Sequence, residues 1–411
     1  MTPALVVGAQ TAGLGVVRAL GRRGVPVFAL HYKATDVAQR SRYATEAVAV
    51  SAPDRDESRF VDELLALGDR LGGGLLIPTA DEAVVAVSRQ YDALATRFTL
   101  ACTPWEVTET FIEKRRTYAL ADAIGVACPR TIVPMCREDA LAYAAGAAFP
   151  CLVKPSRGDQ FVARFGVKMF LVADRHELVA RYDLATAAGC EVVLQEFVGG
   201  PDDAGVNYNS YWGDGEPLVE FTAAKVRGGP PFVGSPRVLV SRRVPEVIEP
   251  GRAILKAMGF SGYACTEFKR DARDGRYKLM EVNGRHNLST ALAVRCGIDF
   301  PWLQYRHLAH GEVPAPAEFA EGVYWIDLLR DVGYSLTRFR AERYAVRNYV
   351  RPYLGRPVYA IPSWDDPAPF ARELWSRWAR KRAVAVEPVP APRARPLVVL
   401  EPALATRETG T

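Results

Sequence analysis

Glu267 and Glu281 lie on two short alternating segments, YACTEFKRD (263–271) and RYKLMEVNGR (276–285), joined by a turn that contains Asp274-Gly275. Read as a β-hairpin centred on residue 274, the pair puts Glu267 opposite Glu281 and Cys265 opposite Asn283. Glu281 and Asn283 then share a face, because strand side chains alternate with period two. Like charges directly opposite destabilise a sheet. At about 5 Å and an effective dielectric of about 20, the repulsion is roughly 3 kcal/mol. A divalent cation between the carboxylates removes it, and two carboxylates with an amide oxygen are hard ligands of the kind Mg²⁺ accepts beside phosphates. The other reading is a solvated face in which Lys269 or Arg285 neutralises the pair.

A second segment, FPCLVKPSRGDQFVARFGVKMFLV (149–172), reads as a strand ending at Lys154-Pro155, a loop over 156–166 with Gly158 and Gly166, and a second strand. A lysine at a strand end beside a polar loop suits phosphate, which takes point charges and backbone N–H groups. An ordinary hairpin with a long surface loop fits the same pattern. Lysine is scarce here, nine against 43 Arg, so a retained one weighs a little more for its compact charge. Lys114 gains interest on that ground alone. EVVLQEFVGG (191–200) is an apolar strand running into Glu196-Phe197-Val198 and a Gly-Gly turn, an exit that can offer backbone groups to a flat base, as many buried strands can.

The elements that must carry these groups change character along the chain. Ala4–Val7, a glycine turn, an amphipathic helix over Leu14–Arg23 and a strand over Val25–Leu30 make a βαβ opening, and Gly73–Pro78 adds a strand that feeds a helix at Asp81. Residues 1–105 therefore read as a Rossmann-like α/β domain with a parallel sheet. Thr110-Phe-Ile-Glu113 has the form of a capping box and predicts a helix from Thr110 to about Gly125. Strands over Thr131–Val133, Cys151–Lys154, Val167–Val172 and Val192–Phe197 alternate with helices over Arg137–Ala147 and Arg175–Ala188, an α+β pattern. Strands dominate from about 197 to 312, with a helix over Pro250–Met258. Pro314-Ala-Pro316 marks a boundary, and 384–411 is Pro/Ala-rich.

Composition narrows the function classes. A chain of 411 residues, 49% hydrophobic and 24% charged, has a globular balance. Its net charge of +5 is too small to indicate nucleic acid. Seven scattered Cys without a CxxC pair indicate neither a disulfide framework nor a zinc site. No apolar run is long enough to span a membrane, and the amino terminus lacks a signal-peptide pattern, so a cytoplasmic location is expected.

Taken in order, KPSRGDQFVARFG, VLQEFVGG, FTAAKVRGGPPFVG, RRVPEV and TEFKRDARDGRYKLMEVNGR resemble the ATP-grasp superfamily from about residue 1 to 312. They are most similar to its D-aspartate ligase-like, carboxylate–amine branch of ATP-dependent carboligases. The resemblance implies a Rossmann-like pre-ATP-grasp domain (1–105), a lid subdomain (106–195), a catalytic subdomain (196–312), an Arg- and aromatic-rich, helical or irregular extension (313–383) and a tail (384–411). It implies that Lys114 and Lys154 hold ATP phosphates, that backbone around Glu196, Phe197 and Val198 holds adenine, and that Asp203 meets the ribose. Glu267, Glu281 and Asn283 would bind Mg²⁺ or Mn²⁺, Arg285 would stabilise the phosphoryl group, and Lys225 and Arg227 would lie near the reacting centre. The activity implied is formation of an amide through an acyl phosphate from a small carboxylate and an amine. Two features depart from the pattern: loop 156–166 is poor in glycine, and the usual proline of EVNPR is Gly284, followed by His286-Asn287.

Other readings stand beside this one. Gly8-x4-Gly13-x-Gly15 suggests a dinucleotide or P-loop site, but it is neither GxGxxG nor GxxxxGK[ST], since Leu14 stands where the P-loop lysine belongs. Asp81 or Glu82 is placed to bind a substrate ammonium, and Asp81 equally to cap a helix. An acceptor other than nitrogen would use the same phosphate machinery, and so would an ATP-binding regulatory core in a surface- or partner-binding protein. Residues 321–383 hold twelve Lys+Arg against seven Asp+Glu and twelve of the 41 aromatics, so the remaining residues balance. This segment either contacts an anionic surface or packs its aromatics on the body; irregular spacing favours packing.

Overall fold

The computed structural model describes residues 1–384 except 34, 156–160, 162–163, 168, 230–234 and 339–344, and gives no side-chain surroundings for 202, 337–338 and 380–384. Most of loop 156–166 and nearly all of the tail 384–411 therefore lie outside the described residues.

Three sheets organise the chain. β1 (Ala4–Val7), β2 (Val27–His31), β3 (Glu46–Ala49), β4 (Gly74–Pro78) and β5 (Phe98–Leu100) form a parallel sheet in the order β3-β2-β1-β4-β5. Strand alternation sorts its side chains. Leu5 and Val7 join one core, with Phe60, Leu64 and Leu76. Ala4 and Val6 join another that also contains Tyr211, Phe221, Tyr263 and Trp325, so the first domain packs directly on the largest sheet.

β6 (Thr131–Ile132), β7 (Cys151–Pro155), β8 (Phe170–Val172) and β9 (Val192–Glu196) make a four-stranded antiparallel sheet, ordered β6-β9-β7-β8. Helices Arg137–Ala145 and Arg175–Ala187 cover it, burying Ala140, Tyr143, Leu178 and Tyr182 against Cys151, Val153 and Leu194.

The largest sheet has β10 (Gly205–Gly213), β11 (Glu216–Gly228), β12 (Pro236–Ser241), β13 (Gly262–Arg270), β14 (Tyr277–Asn283), β15 (Tyr324–Ile326) and β16 (Val358–Tyr359), ordered β14-β13-β10-β11-β12-β15-β16. Even-numbered Val206, Tyr208 and Trp212 pack with Ala264 and Phe268 against helix Ile248–Ala257, while odd-numbered Tyr211 and Tyr263 face the first domain.

Two sequence expectations change. Thr110 does not cap a helix: one helix runs Trp105–Ile112, started after Pro104, and a second runs Lys114–Ala123 from Glu113. The Thr110 hydroxyl donates to the Val107 carbonyl inside the first helix, and Glu113 pairs with Arg116. The carboxyl-terminal segment is not only helical or irregular, because β15 and β16 extend the largest sheet. Its packing is chemically specific. Asp331 pairs with Arg227 and Arg237, while Asp366 holds Arg18 of the first domain at 2.9 Å, all of them buried.

Candidate active site

The β13–β14 hairpin pairs Cys265 with Asn283 and Glu267 with Glu281, the register read from the sequence. Beyond this point a bulge changes it, and Phe268 pairs with Leu279. The extra residue is Met280. It lets Leu279 and Val282 both enter the core behind the sheet while Glu281 and Asn283 share the opposite face. The Met280 carbonyl accepts a hydrogen bond from the Tyr118 hydroxyl at 2.6 Å, which ties helix Lys114–Ala123 to the bulge.

Glu267 belongs to a row crossing three strands, Asn207 on β10, Glu267 on β13 and Glu281 on β14. Its carboxyl is raised to about 7 by burial and by the Glu281 charge, while Lys225 and Arg285 act in the opposite sense. Lys225 is half-buried on β11, two residues beyond Ala223, the β11 partner of Asn207. Asn283 is buried, and its side-chain oxygen accepts from Arg285 Nη2 at 3.2 Å.

Lys154 leaves β7 and donates to Gln195 Oε1 on β9, whose amide donates in turn to Thr131 Oγ1 at 2.9 Å. Burial and the nearby Lys114 charge lower the Lys154 ammonium to about 8, and Glu281 opposes this. Lys114, Lys154 and Glu281 thus share one electrostatic neighbourhood. Lys114 is exposed at the first turn of its helix.

The Glu196 N–H donates to the Arg130 carbonyl at 2.9 Å and the Phe197 N–H to the Pro150 carbonyl at 3.4 Å; Val198 is buried. The Glu196 carboxylate lies 2.7 Å from Arg273 and 3.5 Å from Lys278, and Lys278 lies 2.8 Å from Asp271. Asp203 is exposed in a short helical turn over Asp202–Ala204.

Two candidates have unexpected partners. Arg285 makes a bidentate pair with Asp81, at 2.5 and 2.7 Å, across the boundary between the first domain and the largest sheet. Asp81 is therefore not a helix cap; Ala80 occupies that position. Arg227 is buried, bidentate to Asp331 at 3.0 and 2.7 Å and bonded to the Tyr349 carbonyl at 3.2 Å. The departure from the motif at Gly284 and His286-Asn287 also has local causes. A side chain at Gly284 would meet the Phe111 ring at 2.5 Å. His286 is a core group stacked on Tyr263, with its ring lowered to about 4 by burial. Asn287 bonds Asn209 at 2.8 Å and also touches Cys265.

Sequence reasoning missed Gln195, Lys278 and the Asp81–Arg285 pairing. Lysine scarcity was the available signal for Lys278, and alternation along β9 for Gln195, which shares a sheet with Lys154. Nothing local announces Asp81 as the partner of a residue 204 positions away.

No protein-family model matches the chain. It is 23% identical over 289 residues to D-aspartate ligase from Enterococcus faecium, covering 65% of this chain and 67% of that enzyme. It is 26% identical over 226 residues to D-alanine–D-alanine ligase from Pseudomonas entomophila, with 48% of this chain and 64% of that enzyme covered. For the Francisella tularensis subsp. novicida D-alanine–D-alanine ligase the identity is 32% over 164 residues, 37% of this chain and 52% of that enzyme. The chain thus spans about half to two thirds of these relatives. Among solved structures, L-amino acid ligase from Bacillus licheniformis superposes with a TM-score of 0.60 at 18% identity, over 75% of this chain and 74% of that one. N5-carboxyaminoimidazole synthetase from Staphylococcus aureus gives 0.63 at 13% identity, over 83% and 86%. The fold expected from the motifs is the fold the chain has.

Proposed function

We propose that this chain, a member of the ATP-grasp superfamily, is an ATP-dependent ligase that joins a small carboxylate to an amine through an acyl phosphate. The observation that carries the proposal is the Glu267–Glu281 pairing beside Asn283, in the same field as Lys114 and Lys154. The ligase relatives and the shared fold support it.

The donor set fits Mg²⁺. Burial and the neighbouring Glu281 charge raise the Glu267 carboxyl to about 7, a cost that a bound cation relieves. The donors are two carboxylates and one amide, and among the described residues no group of three or more His, Cys, Asp and Glu is arranged for a metal. So few protein donors suit an ion that completes its shell with phosphate and water. Mg²⁺ or Mn²⁺ held by Glu267, Glu281 and Asn283 would neutralise charge on the ATP phosphates.

The chain's own residues do the rest. Lys114 and Lys154 bind phosphate oxygens as compact point charges. Backbone around Glu196, Phe197 and Val198 receives the adenine, with Asp203 towards the ribose. The substrate carboxylate attacks the γ-phosphorus, the bond to ADP breaks, and Arg285 stabilises the charge on the transferred group. The amine then attacks the acyl carbon and phosphate leaves, giving the amide. Lys225 stands beside Glu267 at the reacting centre. Arg227, held by Asp331, is read as fixing β11 behind Lys225. In this reading residues 1–105 face the substrate, 106–195 close on ATP, 196–312 carry the catalytic groups, and 313–383 brace the sheet ahead of the tail 384–411. Seven unpaired cysteines and the use of ATP support a cytoplasmic location.

The test is an ADP-release screen over amino acids, singly and in pairs, with mass spectrometry of the products. Release that needs both partners, with a product mass short of their sum by one water, bears the reading out. Release with a carboxylate and no amine overturns the amine acceptor. Mg·ATP binding without release from any pair overturns catalysis.

A further inference from the structure

Among the described residues fourteen large apolar side chains are exposed, and eight of them lie between 336 and 378. The densest group is on helix Ala368–Val384. Phe370 packs against the core shared with the first domain and Ser376 is buried, so one side of the helix faces the body. The preceding Asp365 and Asp366 fasten this end to Arg22 and Arg18. Ala371, Leu374, Trp375 and Trp378 are exposed, at the i, i+3, i+4, i+7 spacing of a single helical stripe. The two indoles are 56% and 52% exposed, unusual for the largest apolar side chain. Helix Val346–Leu354 repeats the arrangement, with Val346, Val350 and Leu354 exposed at four-residue intervals beside Arg347 and Arg351.

Charge selects the occupant. Helix 368–384 contains five Lys and Arg and one Glu, and Glu373 is already paired with Arg377 at 2.7 Å. Residues 321–383 hold the chain's whole excess of positive charge. A second copy docked on this helix would bring two segments of the same net positive charge together, because a two-fold contact sets a surface against itself. The 27 residues 385–411 carry three Arg and three Glu, so they offer no net negative charge to complement it. Trp beside Arg and Lys suits the headgroup region of an anionic bilayer, where indoles settle at the boundary and basic groups meet lipid phosphates. No described helix is long and apolar enough to cross a membrane, so the contact is peripheral.

We infer that helix Ala368–Val384 seats the chain on an anionic membrane surface through Leu374, Trp375 and Trp378. The test uses the full chain with vesicles of phosphatidylcholine, pure or with roughly a third phosphatidylglycerol. Sedimentation and tryptophan emission report binding. The chain binds the anionic vesicles with a blue shift, binds pure phosphatidylcholine at least about tenfold more weakly, and is released by salt. Trp375→Ser with Trp378→Ser removes the blue shift and most of the binding while the urea midpoint stays unchanged. Lys381→Glu with Arg382→Glu removes the preference for anionic lipid. Equal binding to both vesicles, or binding indifferent to these variants, overturns the inference. So does a dimer by light scattering that dissolves in the Trp variant, or indoles already shielded from acrylamide without lipid, which would assign the stripe to a second copy or to residues 385–411.

Discussion

Asp81 and Arg285 form a bidentate ion pair between the first domain and the strand end that carries the candidate metal ligands, at 2.5 and 2.7 Å. Asp81 is more than half exposed while Arg285 is largely buried. A carboxylate therefore occupies the guanidinium edge that the proposed reaction offers to its anionic intermediate. An exposed partner makes the pair weak, about 1 kcal/mol or less. Asp81→Asn should lower the KM for the carboxylate substrate by up to about fivefold with kcat little changed. Arg285→Ala should instead lower kcat by about a hundredfold or more, with Mg·ATP binding retained. Steady-state kinetics on both variants separates the roles, and a parallel fall in kcat for Asp81→Asn would make Asp81 part of the chemistry.

The raised carboxyl of Glu267 gives metal binding a pH signature. Below about 7 the metal must displace a proton, so affinity should rise roughly tenfold per pH unit up to that point and level off above it. Titration calorimetry in two buffers of different ionisation enthalpy measures the released proton. The stability of the metal-free protein should show the reverse slope. The folded state holds the proton more tightly than the unfolded one, so this group's contribution to stability falls between about pH 4.5 and 7. Glu267→Gln should flatten both profiles, and unaltered slopes would remove Glu267 from the site.

Lys154 has the opposite sense. Its lowered ammonium loses charge as pH rises through about 8, so the KM for ATP should increase above that pH. Lys154→Arg keeps the charge and should abolish the inflection, though at some cost in affinity from the bulkier fork. Lys154→Met should raise the KM at every pH by about tenfold or more. An inflection retained in Lys154→Arg would assign the titration to another group.

Asp331 is shared between Arg227 and Arg237 where none of the three meets solvent. Asp331→Asn removes the carboxylate that the two buried guanidiniums share, a loss of about 3–5 kcal/mol in urea unfolding. Deletion of 321–383 removes β15, β16 and this carboxylate together and should give insoluble, inactive protein. A soluble deletion variant with full turnover would show that the segment is an appended module.

Gly284 lies under the Phe111 ring, where a new Cβ would approach to 2.5 Å. Gly284→Ala should destabilise by about 1–3 kcal/mol, and Phe111→Leu in the same chain should recover part of it. Additive losses in the double variant would show that the ring does not set the glycine requirement.

The sequence alone determined the elements whose signals are local. Alternation and turn chemistry specify the β13–β14 hairpin, and the facing of Glu267 and Glu281 follows because strand periodicity leaves two choices of face. The motifs in order specify the ATP-grasp fold. The local signal failed at Thr110, where a capping box was outweighed by a helix already begun after Pro104. It also stopped at Met280, because the bulge answers packing behind the sheet and a hydroxyl from another helix. Only the tertiary structure decided which charges meet. Asp81 finds Arg285, Asp331 finds Arg227 and Arg237, and Asp366 finds Arg18, over separations from 94 to 348 residues. Such pairings are set by how the elements stack, and Coulomb attraction then acts on whatever groups that stacking brings within reach.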